Sequence, residues 1–169
     1  MELRLFGMAL VLGASVFTGM QAAAAVKRCC SQLSQLRLAL ELMRCEIACR
    51  LTPMRQLSGM LKTACRGELA RFFGRMEAEL QKGSDVARAA ESAKQLVRLR
   101  LPKEVQQSLD ELFSTFGSYD DRGQLRLIEL TQSRVAGALE QLSKEQPKRC
   151  RCYEMLGLCA GLALIILAW

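Results

Sequence analysis

The residues of this chain with the most obvious chemical potential are cysteines near its two ends. Cys150 and Cys152 form a Cys-x-Cys among basic residues, and Cys29 and Cys30 are adjacent. Four thiolates could form a tetrahedral zinc site, and nearby cations would lower the pKa values of the thiols. Neither pair has the spacing of about two to four residues that is typical of zinc knuckles. We therefore predict no metal centre, and we expect the cysteines to act as small apolar side chains, buried or at an interface.

Other patterns that could support catalysis are weak. The chain has no histidine, which removes the usual general base and the commonest zinc ligand. It contains neither G-x-x-x-x-G-K-[ST] nor G-x-G-x-x-G, the glycine-rich motifs that form phosphate-binding loops. Asp120 and Asp121 precede a long helical pattern, so helix capping explains them better than acid–base chemistry. Cys45 and Cys49 lie one helical turn apart without a complementary pair. We predict that the chain is not an enzyme and needs no cofactor.

Apolar segments at both ends predict two membrane helices. Residues 5–26 carry no charge, and as a helix they are long enough to cross a hydrocarbon core of about 30 Å. Residues 153–169 form a second, shorter span, with Tyr153 and Trp169 as interfacial anchors. A peripheral hairpin or a buried core helix is the alternative for this second segment. Residues 1–4 would then be a short tail.

A cleaved secretory signal is the alternative for the first segment, because the small residues 22–25 resemble a cleavage site. Lys27 and Arg28 follow the apolar run directly, where positive charge resists translocation. The retained helix is therefore favoured, and no mature N-terminus is expected near Val26.

The long segment between the two spans, residues 27–152, has basic residues at both membrane-proximal edges. These residues are Lys27, Arg28, Lys148, Arg149 and Arg151. Positive charge beside membrane helices marks the cytoplasmic side, so we expect this domain in the cytoplasm and both termini outside. A reducing cytoplasm also argues against a disulfide framework.

Small residues in the spans predict close packing of helices within the membrane. Gly157 and Gly161 form a G-x-x-x-G, and Gly19 with Ala23 is a looser pair of the same kind. Such pairs let helix backbones approach each other in lipid, which favours association between the spans or with another membrane protein.

The middle domain is predicted to be all-α, an antiparallel bundle of about six helices flanked by the two transmembrane helices. Ser31, Thr52 with Pro53, Ser84, Leu101 with Pro102, and Asp120 or Asp121 mark the expected helix starts after the first span. Lys82-Gly83 and Gly117 mark two helix ends. Apolar residues recur at steps of three and four: Leu33, Leu36, Leu40, Met43 and Ile47; Leu69, Phe72, Phe73, Met76 and Leu80; Val86, Ala90, Ala93 and Val97; Val105, Leu109, Leu112, Phe113 and Phe116; Ile128, Val135, Leu139 and Leu142.

The chain is basic, with a pI of about 9.2. Nucleic acid is not the expected partner, because acidic residues are interspersed with the basic ones and no aromatic side chains alternate with them to stack on bases. An anionic lipid surface or an acidic protein partner fits the charge better.

With this layout, the sequence resembles the stage III sporulation protein AB family of endospore-forming bacteria over essentially its whole length. The order and spacing of several stretches carry the resemblance: GMQAAAA at the end of the first span, the pattern of residues 31–47, LTP at 51–53, FGSYDDRGQL at 116–125, and PKRCRCYEMLGLCAGLALIIL at 147–167. The family tends to show Pro-Lys-Asn where this chain has Pro147-Lys148-Arg149. The Cys-x-Cys departs from that pattern, which argues against a site on which function depends.

The resemblance implies a membrane component of the sporulation channel between mother cell and forespore. The cytoplasmic domain of the family is similar to the helical domain of type II secretion F proteins. The implied partners are the AA protein, a secretion-type ATPase, and other channel membrane proteins. The expected function is a non-enzymatic platform that docks this ATPase. The alternative is a small membrane anchor or receptor that senses lipid or metal through its basic, cysteine-bearing membrane edge.

Overall fold

Every regular element that the structure describes is an α-helix. The computed structural model describes residues 2–50, 52–116 and 122–144, without the side chains of residues 2–20, 22 and 23. The helices are α1 (Glu2–Arg50), α2 (Met54–Ala64), α3 (Gly67–Gln81), α4 (Val86–Leu96), α5 (Lys103–Thr115) and α6 (residues 122–144). The prediction of an all-α bundle is confirmed for these residues.

The chain divides into two units, one of which is Ser31–Glu140 and the other Met1–Cys30 with Gln141–Trp169. Across the described residues, no helix combines the length and the apolar character needed to cross a membrane. The backbone of residues 5–26 is helical as part of α1, and residues 153–169 lie outside the described residues. Both spans therefore stay predictions.

The prediction that a separate helix begins at Ser31 is wrong. Ser31 lies inside the continuous helix α1, and its hydroxyl accepts a hydrogen bond from the Gln35 amide at 3.4 Å. The physical reason is that neither proline nor glycine occurs between the first apolar segment and residue 31, so the helix has no cause to stop.

The apolar seam predicted for this part of α1 is confirmed. Its members are almost fully buried: Leu33, Leu36, Leu40, Met43 and Ile47; Ala39, which was not predicted, is buried with them. All the apolar residues predicted for α3 are buried as well, and the ring of Phe72 lies 5.3 Å from that of Phe73 and 6.0 Å from that of Phe113, which joins α3 to α5. Aromatic pairs at such distances add stabilisation beyond the burial of their area.

In two helices, α2 and α4, the N-cap is the residue that follows the predicted one. The N-cap of α2 is Pro53, and no side chain caps this helix; the hydroxyl of Thr52 donates instead to the Glu46 carboxylate at 2.8 Å. Helix α4 is capped by Asp85, not Ser84, because the Asp85 carboxylate accepts a hydrogen bond from the backbone N–H of Val86 at 2.8 Å.

The buried face of α4 also differs from the predicted one. Ala89, Ala90 and Ala93 are buried, whereas Val86 and Val97 are only half-buried. Small side chains at the centre of this face let the helix pack closely on its neighbours.

The predicted end of α3 at Lys82-Gly83 is confirmed, and it has a defined geometry. Gly83 has φ of +89°, which disfavours residues with a Cβ. The Gly83 N–H donates to the Leu80 carbonyl at 3.2 Å, and the Ser84 N–H donates to the Glu79 carbonyl at 3.2 Å. These two bonds form a Schellman motif. The other predicted end, Gly117, and the caps Asp120 and Asp121 lie outside the described residues.

The core assignment of α1 can be tested with two leucines on the same helix. Leu36 is 1% exposed and Leu38 is 66% exposed. Leu36→Ala should lower the free energy of unfolding by about 2–5 kcal/mol, because it removes buried methyl groups and leaves a cavity. Leu38→Ala should change it by less than about 0.5 kcal/mol. Urea titration of the full chain in neutral detergent, followed by far-UV circular dichroism, measures both; equal effects would contradict the assignment.

Candidate interaction surface

A buried amide on α1 connects two distant parts of the Ser31–Glu140 unit. The Gln32 side chain, 8% exposed, donates from Nε2 to the Glu68 carboxylate on α3. Its Oε1 accepts a hydrogen bond from the backbone N–H of Arg100 at 2.9 Å. One turn further along α1, Gln35 Oε1 accepts from the backbone N–H of Arg66 at 2.7 Å, next to the first residue of α3. Helix α1 therefore fixes both the start of α3 and the segment before α5.

The segment between α4 and α5 is extended. Val97 has φ −123° and ψ 108°, and Pro102 precedes α5 with φ −56° and ψ 148°. Proline also disfavours the helical conformation for the residue before it. Side chains alternate in extended backbone, and here Leu101 is buried while Arg98 and Arg100 are exposed. The segment thus directs two guanidinium groups to solvent.

A cleft of about 530 Å³ opens between this segment, α3 and α5. Its walls include the buried apolar residues Phe72, Leu101, Leu109 and Phe113. The two acidic residues in the lining are already bonded within the protein: Glu68 accepts from Gln32, and Asp110 pairs with Lys94. The cleft therefore combines an apolar interior with one acid that is paired with a cation, Asp110, and one that is hydrogen-bonded to a neutral amide, Glu68.

A second groove of about 670 Å³ lies on the other side of Val97, which lines both. Arg71, Gly74 and Arg75 of α3 form one wall. Leu96, at the end of α4, also lines this groove and is 60% exposed. A leucine that is exposed to this extent beside a groove is available for contact with another molecule.

The basic residues of this region differ in their partners. Lys62, which lines the second groove, pairs with Glu77 at 3.1 Å. None of the ion pairs formed within the described residues includes Arg71, Arg98 or Arg100. With no carboxylate partner in the part of the chain that the structure describes, these three guanidinium groups can pair with carboxylates of another molecule.

The predicted membrane-edge and packing residues are only partly within the described structure. Lys27 and Arg28 are exposed on α1. Gly19 and Ala23 lie on the α1 backbone, at positions where side chains are not described. The remaining predicted residues lie outside the described residues: Lys148, Arg149, Arg151, Gly157 and Gly161.

The cysteines occupy contrasting environments. Cys65, at the end of α2, is 7% exposed, and burial raises the pKa of its thiol to about 11. Cys45 and Cys49 are exposed on α1, so these two do not serve as buried apolar side chains within the described residues. Cys150 and Cys152 lie outside the described residues. Among the residues that the structure describes, no group of three or more potential ligands is arranged to hold a metal ion.

Sequence reasoning missed Gln32, Arg98 and Arg100. The alternation Val-Arg-Leu-Arg-Leu at 97–101 was an available signal, since period-two alternation is typical of extended backbone. Gln32 gives a weaker signal, because a glutamine beside an apolar seam is more often exposed.

The fold and the surface define a small all-helical domain without a recognisable catalytic site in the described residues. The comparisons with known proteins are more specific. The family model described as stage III sporulation protein AB matches residues 4–169, and the chain belongs to this family. Membership assigns it a role in sporulation.

Two relatives support the assignment. The chain is 29% identical to stage III sporulation protein AB of Bacillus subtilis (strain 168), over 98% of each chain. A solved structure of a stage III sporulation protein AB has a TM-score of 0.66 and 25% identity, and the match covers 72% of this chain and 98% of that one.

The role of the buried amide can be tested by truncation. Gln32→Ala should lower the free energy of unfolding by about 1–3 kcal/mol, because Glu68 loses a donor and the Arg100 N–H loses its acceptor in a part-buried site. Gln107→Ala, at an exposed position of α5, is the matched control and should stay within about 0.5 kcal/mol. Urea unfolding of both variants measures the difference; a loss no larger than that of the control would show that the amide contributes nothing.

The raised pKa of Cys65 predicts a slow thiol. With a pKa of about 11, about one thousandth of Cys65 is thiolate at pH 8, so iodoacetamide should modify it far more slowly than the exposed Cys45. Labelling followed by peptide mass spectrometry measures both rates, and urea should remove the difference. Equal rates in the folded chain would contradict the burial.

The same shift makes the stability depend on pH. Because the pKa of Cys65 in the folded chain exceeds the unfolded value of 9.0, the contribution of this group to stability is fully present below about pH 9 and is lost towards pH 11.

Proposed function

We propose that this protein is a non-enzymatic platform in the sporulation channel between mother cell and forespore, and that it docks the AA protein, a secretion-type ATPase. Family membership carries the proposal, because the family model spans residues 4–169 and so includes both the helical unit and the apolar ends. The resemblance of the family's cytoplasmic domain to type II secretion F proteins suggests the kind of partner.

The structure supports a docking role through its surface chemistry. The Ser31–Glu140 unit has a packed core of leucine, methionine and phenylalanine side chains, which gives a rigid support for binding residues. Beside two grooves it also exposes Arg71, Arg98 and Arg100, which form no ion pair within the described residues. A surface of this kind binds macromolecules by complementary charge and apolar contact.

The proposal includes a membrane location. Residues 5–26 and 153–169 would cross the membrane, and the bulk of the chain would face the mother-cell cytoplasm. The charge pattern supports this orientation, since Lys27 and Arg28 follow the first apolar segment directly and are exposed. Channel membrane proteins and lipid would be the other partners.

The alternative of a metal-sensing receptor has no specific support in the described residues. Cys29 and Cys30 are half-buried neighbours on α1, and no group of three or more potential ligands includes them among the described residues. Two adjacent thiols on one helix supply at most two of the four ligands of a tetrahedral site, so the other ligands would have to come from elsewhere.

Co-purification from membranes tests the platform. The epitope-tagged chain, extracted with neutral detergent from the membrane fraction of sporulating cells, should bring down the AA ATPase, because a docking platform binds its ATPase directly. An unrelated tagged membrane protein of similar abundance is the control. Recovery of the chain in the soluble fraction would contradict the membrane location. Absence of the ATPase from the purified material, with the ATPase present in the extract, would contradict the docking role.

A further inference from the structure

The most distinctive unassigned surface of the described unit is the segment at residues 96–100, here called the basic ridge, with the groove on either side of it. Its sequence is Leu-Val-Arg-Leu-Arg. Leu96 is 60% exposed and opens onto the groove of about 670 Å³, whereas Leu99 lines the cleft of about 530 Å³. Apolar and cationic side chains thus lie next to each other along this short segment.

The charges around the ridge do not cancel. Glu68 and Asp110, the acids of the cleft, are bonded to Gln32 and Lys94. Arg98 and Arg100 are in no ion pair formed within the described residues. Because Gln32 is neutral, Glu68 keeps its negative charge. The lining of the cleft nevertheless carries three cations, Lys94, Arg98 and Arg100, against these two acids, so its net charge is positive.

The second groove extends the same charge. Arg71 lines it and is likewise in none of the ion pairs within the described residues. Arg75, beside it, lies close enough to α3's own Glu79 to help lower the pKa of that carboxyl, after the larger effect of the hydrogen bond from Lys82. Arg71 and Arg75 are both exposed, and neither is in an ion pair within the described residues, so both arginines of this wall have charge to offer a ligand.

The shape of the ridge discriminates between classes of ligand. Proteins that bind single-stranded nucleic acid usually stack its bases on exposed aromatic side chains, whereas Phe72 and Phe113, the aromatic residues of the cleft, are each 2% exposed. A flat lipid surface would contact basic side chains but would leave concave apolar walls unfilled. Guanidinium groups beside apolar grooves suit a segment that presents leucine-like side chains and carboxylates together, since arginine binds carboxylate through two parallel hydrogen bonds.

We propose that the basic ridge and its two grooves bind an acidic amphipathic segment of a protein partner. Apolar side chains of that segment enter the grooves beside Leu96 and Leu99, and its carboxylates pair with Arg71, Arg98 and Arg100. The proposal deepens the platform function, because it names the surface and the chemistry of the docked partner. It holds for any partner with such a segment, so its test does not depend on the ATPase.

The direct test uses a synthetic probe. A fluorescein-labelled helical peptide with leucine along one face and glutamate on the other is titrated into the purified full chain in neutral detergent, and fluorescence anisotropy measures binding. We expect saturable binding that weakens as salt rises. Arg98→Glu with Arg100→Glu should weaken it at least tenfold, and Leu96→Gln should weaken it severalfold without a change of charge.

Matched controls separate local from global effects. Arg55→Glu with Arg88→Glu makes the same change in net charge at two exposed positions away from both grooves, and it should leave the affinity within about twofold. Circular dichroism should show equal helix content in all variants, since the ridge residues that are changed are exposed. A scrambled peptide of the same composition, without an apolar face, should bind at least tenfold more weakly than the amphipathic one.

The outcomes distinguish this proposal from the platform function. No binding of the peptide, or equal loss in the ridge and control variants, would overturn the ridge proposal even when the ATPase co-purifies. Binding that fails only in the ridge variants would support it even when the ATPase does not. Phosphatidylglycerol vesicles that bind through Arg98 and Arg100, with no binding of the peptide, would make the surface a lipid contact and would also overturn the proposal.

Discussion

The two hydrogen bonds of the Gln32 amide are the constraint on which the arrangement of the described unit depends. An amide placed at the edge of an apolar seam loses its hydration and must find both a donor and an acceptor within the protein. The acceptor for its N–H is Glu68, 36 residues away, and the donor to its oxygen is the Arg100 N–H, 68 residues away. Because hydrogen bonds are directional, these two act together with the apolar packing to fix the register of α1 against its neighbours.

That register determines what the surface presents. Because the backbone of Arg100 is held against α1, the extended segment between α4 and α5 has one face towards the core and the other towards solvent. Leu101 takes the buried position, and Pro102 is the N-cap of α5. The alternation of extended backbone leaves Arg98 and Arg100 outside. The exposure of the two arginines thus follows from the contacts that bury Leu101 and hold the Arg100 backbone against α1.

The parts of this fold that could be predicted are those in which large apolar residues have a single way to be buried. The seam of α1 and the aromatic face of α3 follow from spacing alone, since steps of three and four place them on one side of a helix. Helix caps were predicted less well. Either Ser84 or Asp85 could cap α4, and the sequence alone does not show that the Asp85 carboxylate accepts the hydrogen bond from the Val86 N–H. The start assigned to Ser31 failed because capping residues also occur inside helices. The Gln32 contacts were beyond prediction, since both partners are distant in sequence and become neighbours only after the helices have packed.

Arg100 links the interior of the unit to its surface. Its backbone N–H is a partner of the buried amide, and its side chain is exposed at the ridge. A ligand that binds the guanidinium therefore also restricts the backbone that Gln32 holds, and any ligand that binds only the native state stabilises that state by mass action. The same linkage acts in the other direction. Loss of the hydrogen bond between the Arg100 N–H and Gln32 would lower the fraction of molecules in which Arg98 and Arg100 are correctly spaced. Binding would then weaken without a change in surface charge. The affinity of this surface for an acidic segment and the stability of the bundle beneath it are consequently coupled through one residue.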